Sequence, residues 1–161
     1  FWNFLSGAIP TEIGRLTNVE RMYFERNRLE GPIPSELGNM KRLSRLWLYS
    51  NALTGTLPSD FGRLSNSITN LDVSFNDISG SLPTEIARLT NIESLSLEFN
   101  SFTGRIPSEL GRLTKLSLLA LHENFFTGTI PYEICLLKAF GSLDNIVVDC
   151  SMVTCDCCVC S

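Results

Sequence analysis

Residues 95–107 read LSLEFNSFTGRIP, and the architecture follows from this stretch. Leu95 and Leu97 alternate with Ser96 and Glu98, the period-two pattern of a short strand with one buried face. Asn100 follows, then Phe102, then Gly104-Arg-Ile-Pro107. Moving outward in both directions, the same pieces return. The Gly of a Gly-x-[Ile/Leu]-Pro signal stands at 7, 31, 55, 80, 104 and 128, at spacings of 24, 24, 25, 24 and 24. Pro10, Pro34, Pro58, Pro83, Pro107 and Pro131 keep step, as do Asn3, Asn27, Asn51, Asn76, Asn100 and Asn124. Three residue types locked to one period define a repeat, and 161 residues hold about 6.7 copies.

The physics of one unit is readable from its residues. Met22/Phe24, Leu46/Leu48, Leu71/Val73, Leu95/Leu97 and Leu119/Leu121 predict strands that pair into a parallel sheet when the units stack. The Asn after each strand places an inward amide at a bend, and repetition predicts a hydrogen-bonded ladder inside the core. Gly permits a left-handed corner and Pro fixes φ just beyond it. The pairs Thr11-Glu12, Ser35-Glu36, Ser59-Asp60, Thr84-Glu85 and Ser108-Glu109 suit the start of a helical turn. The hydroxyl is expected to cap free amides while the carboxylate faces the positive end. Apolar residues then recur every three positions, as in Leu110/Leu113/Leu116, fitting a short 3₁₀ turn on the convex side. The extra residue of the 25-residue unit falls between Leu64 and Leu71, around Ser65–Ile68, and predicts a bulge in a convex connection.

The pattern resembles the leucine-rich repeat in its 24-residue plant-type form. Its mark is [Ser/Thr]-Gly-x-[Ile/Leu]-Pro, present at Ser6–Pro10, Thr54–Pro58, Ser79–Pro83, Thr103–Pro107 and Thr127–Pro131, with Glu30 departing in one unit. The resemblance implies an α/β fold, a right-handed solenoid with a parallel concave sheet and convex turns or short 3₁₀ helices. It implies kinship with ectodomains of plant receptor-like kinases and receptor-like proteins, and with polygalacturonase-inhibiting proteins.

The two ends differ from the body. Phe1-Trp2-Asn3 reads as the close of a strand, so the first unit is expected to be partial, in a fragment of a longer solenoid whose N-terminal cap lies elsewhere. Five of the six Cys fall in the last twelve residues. We divide the chain into repeats at 1–134 and a Cys-rich cap at 135–161. Cys135, Cys150, Cys155, Cys157, Cys158 and Cys160 are expected to form structural disulfides sealing the last coil. Six Cys allow 15 pairings, and the sequence does not choose among them. A thiolate metal cluster is the rival reading of residues 155–160, although the spacing lacks the two-residue gaps of structural zinc sites. The expectation is no metal and no cofactor. The tail also resembles Cys-rich C-terminal caps of extracellular leucine-rich-repeat proteins.

Stacking turns outward strand positions into columns about 5 Å apart. One runs Arg21, Arg45, Asn70, Ser94, Leu118; the next Tyr23, Trp47, Asp72, Ser96, Ala120; the third Glu25, Tyr49, Ser74, Glu98, His122. The outermost is Arg26, Ser50, Phe75, Phe99, Glu123, in which Phe75 and Phe99 are expected to stack. Arg21, Tyr23, Arg26, Arg45, Trp47 and Tyr49 therefore cluster on the first two complete strands. These are the residue types that most often anchor interfaces, so they are the candidate partner-binding patch. The formal net charge of −4 conceals a polarity. Residues 1–50 carry +2 and residues 51–161 carry −6.

Net acidity argues against nucleic acid as a partner. Ser74, Glu98 and His122 share a column, but a hydrolase triad needs the imidazole in the middle, and here Glu98 is central. Glu98 and His122 are read as an ion pair. No phosphate loop or metal-spaced carboxylates occur, so no enzymatic activity is expected. The sequence thus predicts an extracellular or cell-surface module that binds a protein, peptide or carbohydrate on its concave face. Membrane attachment would come only from a parent segment outside this sequence. An enzyme inhibitor of the polygalacturonase-inhibitor kind is the alternative.

Overall fold

The computed structural model describes residues 3–155 and 157–160; Phe1 and Trp2, read above as the close of a strand, lie outside them, as does the side chain of Cys160. The coils stack into a solenoid whose main sheet has seven strands. Their spatial order follows the chain: Arg21–Tyr23, Arg45–Trp47, Asn70–Asp72, Ser94–Ser96, Leu118–Ala120, Asn145–Val148 and Val159–Cys160. Every pairing is parallel. Each strand is short because the alternating pattern lasts only about three residues before the Asn bend. In the first six, the residues Met22, Leu46, Leu71, Leu95, Leu119 and Ile146 point into the core and are buried. The sheet continues two strands past the last Asn of the repeat, so the Cys-rich cap closes the solenoid by adding to its sheet.

A second set of strands was not expected from the pattern. Ser6–Ala8, Arg28–Pro32 and Ala52–Thr54 form one three-stranded parallel sheet. Ser79–Ser81, Ser101–Gly104 and Phe125–Phe126 form another. They contain Gly7, Gly31, Gly80 and Gly104, at φ near +80° in Gly80, which only glycine adopts without strain. Between the two sheets the contact thins to the bridge Thr56–Ser79, in the unit with the extra residue.

Five 3₁₀ turns line the opposite side, at Thr11–Arg15, Ser35–Asn39, Ser59–Leu64, Thr84–Arg88 and Ser108–Arg112. The turn Ser59–Leu64 has six residues where its siblings have five, and Ser65 continues in helical geometry. The extra residue is absorbed there, where the sequence placed it. Hydroxyl capping is corrected by the structure: Pro occupies the N-cap position of each turn, and no side chain caps it. The hydroxyl sits one residue too late to reach the free amides and instead donates to the neighbouring carboxylate, as Ser35 does to Glu36 at 3.4 Å. The acidic residues do lie in the first turns, as the helix dipole favours.

Small residues set the stacking distance on this side. A Cβ at Gly62 would lie 2.7 Å from the Glu85 carbonyl oxygen of the next coil. The last unit carries Cys135 at the corresponding position, and its turn is a nine-residue α-helix, Tyr132–Phe140.

The Asn ladder forms as predicted. Asn100 accepts the Ile78 amide at 3.0 Å and donates to the carbonyls of Val73 at 3.0 Å and Leu97 at 3.1 Å. It thereby ties its own strand end to the coil before it. Asn51, Asn76 and Asn124 repeat this arrangement. The residue before each ladder Asn pays for the bend: Arg26, Ser50, Phe75, Phe99 and Glu123 all sit at φ between 53° and 56°. Left-handed geometry costs a non-glycine residue about 1 kcal/mol, which the Asn bonds offset. In the tail, Asp149 closes the series by accepting the Glu123 and Asn124 amides at 2.8 and 3.2 Å.

Disulfides join Cys135 to Cys157 and Cys155 to Cys158, and Cys150 is also disulfide-bonded. No described cysteine is free. The first bond ties the α-helix to the last strand segment. The three sulfurs of Cys135, Cys155 and Cys157 lie within 4.8 Å of one another, whereas the rival thiolate reading rests on the close sequence spacing of residues 155–160. Their pairing as disulfides leaves no thiolates for a metal.

Candidate functional site: the outer face of the seven-stranded sheet

The register of the sheet reproduces the predicted columns. Arg21, Arg45, Asn70, Ser94 and Leu118 are successive cross-strand partners, and so are Tyr23, Trp47, Asp72, Ser96 and Ala120. Beyond the strands the ladder runs on through backbone bonds, from Arg26 to Tyr49, Ser50 to Ser74, Phe75 to Glu98 and Phe99 to His122. These bonds hold Glu25, Tyr49, Ser74, Glu98 and His122 in a row.

The six candidate residues fall at one end of this face. Arg21, Tyr23 and Arg26 are exposed, while Arg45, Trp47 and Tyr49 are half-buried. Tyr23 and Trp47 pack with ring centroids 4.5 Å apart at a 41° tilt. The Arg26 guanidinium lies 5.9 Å from the centre of the Tyr49 ring, in cation–π range. Arg21 and Arg45 sit side by side on paired strands. The patch is thus pre-packed, with one aromatic–aromatic and one aromatic–cation pair beside two arginines on paired strands. Farther along, Phe75 and Phe99 stack at 4.3 Å, and Phe99 meets the His122 ring edge-on at 5.4 Å.

The middle of the face holds acidic groups that residue type alone did not single out. Asp72 accepts both the Ser74 amide at 3.0 Å and the Ser74 hydroxyl at 2.6 Å. Burial pushes the Asp72 carboxyl above its ordinary range; those two hydrogen bonds pull the other way, and the Glu25 charge adds to the rise. Glu98 is also raised, by burial first, with its own backbone amide and His122 opposing and Asp72 adding. The expected Glu98–His122 ion pair is not formed: no described carboxylate lies within 4.0 Å of His122. Glu98 Oε2 and His122 Nδ1 are both buried without a hydrogen-bond partner. The Ser74 hydroxyl is committed to Asp72, so the column offers no activated nucleophile.

A raised carboxyl costs stability when ionised. The cost of Glu98 is full above its folded pKa and vanishes as pH falls below its ordinary value of 4.5. Glu98→Gln is therefore expected to raise Tm by about 1–3 °C at neutral pH. The gain should shrink to nothing in thermal melts below pH 4.5. A lower Tm for the variant at pH 7 would contradict this.

The Leucine Rich Repeat family model matches residues 18–40, 42–64, 67–89 and 91–113, more than half of the chain. The chain belongs to the leucine-rich repeat family. Comparison with curated protein sequences gives no match. Among solved leucine-rich repeat structures, the PEPR1–AtPEP1 complex is 32% identical with a TM-score of 0.88, over 95% of this chain and 21% of that one. The Arabidopsis receptor kinase HAESA, solved with the peptide hormone IDA and the co-receptor SERK1, is 29% identical with a TM-score of 0.86, over 95% of this chain and 25% of that one. A plant ice-binding protein is 32% identical with a TM-score of 0.78, over 94% of this chain and 47% of that one. The chain thus spans a quarter or less of these receptors and about half of the ice-binding protein. The same repeat carries peptide receptors and an ice binder, so fold alone does not name a ligand. No helix among the described residues is long and apolar enough to cross a membrane.

Proposed function

We propose that this leucine-rich repeat chain is an extracellular recognition module rather than an enzyme, and that it binds a peptide or protein through the concave face of its seven-stranded sheet. The contact patch is Arg21, Tyr23, Arg26, Arg45, Trp47 and Tyr49. One observation carries the reading: parallel register sets these six side chains together on the outer face, where they take no part in the buried core. Large pre-packed aromatics, one of them stacked with the Arg26 guanidinium, lose little entropy on binding, which is what concentrates affinity in few residues. The disulfides suit an oxidising compartment. The likeness to receptor kinases solved with peptide ligands supports the same reading.

The test uses peptides selected from a displayed random library against the whole chain. Arg45→Ala and Trp47→Ala should each weaken binding of the selected peptides at least about tenfold, the scale of an interface anchor. Arg88→Ala, exposed on a 3₁₀ turn of the opposite side, should leave it unchanged. Full binding by both patch variants would move the site elsewhere.

A further inference from the structure

Among the described residues, three carboxylates in the middle of the sheet face have no Lys or Arg partner, and His122 on the next coil faces Glu98 without a hydrogen bond. Glu25 and Glu98 lie along the row beside the aromatic patch and Asp72 in the neighbouring column, and none has a Lys or Arg within 4.0 Å among the described residues. Glu25 is the sharpest case. It is 8% exposed, and its Oε2 has no hydrogen-bond partner. Its charge reaches Asp72 from two strands away, and the charge of Asp72 in turn reaches Glu98, so the three share one field. An orphaned buried carboxylate is costly, and a native chain that keeps one beside two others has a use for the negative potential.

We propose that the centre of this face is a seat for one organic cation, the ammonium or guanidinium of a basic side chain in the bound peptide, gripped by Asp72 and Glu98 with Glu25 adding charge from two strands away. This deepens the recognition reading and rests on it. Geometry favours such a cation over a metal ion. A divalent cation needs its oxygens converging at about 2.3–2.6 Å. Among the described residues, the one group of three or more metal-ligating donors within 4.8 Å of one another is the cysteine trio of the tail, not these three carboxylates. Asp72 pairs with Ser96, and Glu98 lies two residues farther along that chain. The two carboxylate-bearing residues are thus offset diagonally by about 8 Å, a span for a cation with several N–H donors rather than a point ion. Trp47, the cross-strand partner of Asp72, and Phe99, next to Glu98, supply aromatic flanks, which attract organic cations further. Cation binding also stabilises the ionised form of two carboxyls that burial disfavours, so affinity should be highest at neutral pH and fall on acidification.

The experiment titrates the ¹⁵N-labelled chain with N-acetyl-lysinamide, N-acetyl-argininamide, N-acetyl-norleucinamide and calcium chloride, following backbone amide shifts. Saturable shifts at Ser96, Glu98 and His122 with the lysine or arginine probe, and none with norleucine, are expected. Asp72→Asn together with Glu98→Gln should weaken that response at least tenfold. Asn at 72 keeps the oxygen that accepts from Ser74, so the local fold is retained. Equal shifts with norleucine, an unchanged response in the double variant, saturation by calcium alone, or no response to either basic probe would each overturn the proposal. The selected library peptides separate this from the broader reading. Peptides that depend on Arg45 and Trp47 but show no excess of Lys or Arg would sink the cation seat and leave the recognition module standing. Basic probes that bind while no peptide is selected would do the reverse.

Discussion

Asn100→Ala is expected to lower the free energy of unfolding by about 3–5 kcal/mol, because it strands several buried backbone groups at once. The Ile78 amide loses its acceptor, and the carbonyls of Val73 and Leu97 lose a donor. All three lie in fully buried residues, so water does not replace the amide. For a chain of this length the loss corresponds to a fall in Tm of roughly 6–20 °C. Asn100→Asp should be no better, since its carboxylate would face carbonyl oxygens where the amide donated. Urea unfolding followed by circular dichroism measures the loss, and hydrogen exchange at Ile78 localises it. A loss below about 1 kcal/mol would mean that the ladder is decorative and that packing alone aligns the coils.

Phe102→Ala should cost about as much, 3–5 kcal/mol, by a different route. The ring is wholly buried and lies parallel to Phe126 at 5.9 Å, with 5° between the planes. Preceding coils place Leu29, Leu53 and Ile78 at this position, so the interior is filled by larger groups toward the C-terminal end. Truncation leaves a void between two coils that cannot close without shortening the stacking distance. That distance is fixed on the other side by contacts like the one at Gly62. Phe102→Leu should recover most of the loss, to within about 1.5 kcal/mol of the parent. Equal destabilisation by Leu and Ala would show that ring stacking, not volume, is what matters there.

Much of the molecule was legible beforehand, and the reason is repetition. Six registered copies of Asn and Gly-x-[Ile/Leu]-Pro average out the ambiguity of any one strand, so the columns, the ladder and the place of the extra residue could be written down directly. What escaped has physical causes. The second strand of each coil is only two to five residues long, too short to leave an alternating trace. The left-handed bend falls on Arg, Ser, Phe, Phe and Glu, residues that advertise no such geometry, because the Asn beside them supplies the compensation. The hydroxyl caps were misplaced by one residue because Pro itself takes the N-cap position. At the site, residue type singled out the aromatic and arginine patch. The acidic centre needed burial as well as identity: Glu25 draws no notice and Glu98 reads as the ion-pair partner of His122 until their orphaned oxygens are seen.

The ladder bonds that join one coil to the next span between 22 and 28 residues of chain wherever they occur. Loop closure at that span carries one nearly constant entropic cost, so each added coil meets the same toll and returns the same gain. An ordinary globule runs out of interior as it grows and divides into domains at around 250–300 residues. Here size is a free variable: reach is set by the number of copies, and a longer relative inherits the same local thermodynamics without redesign.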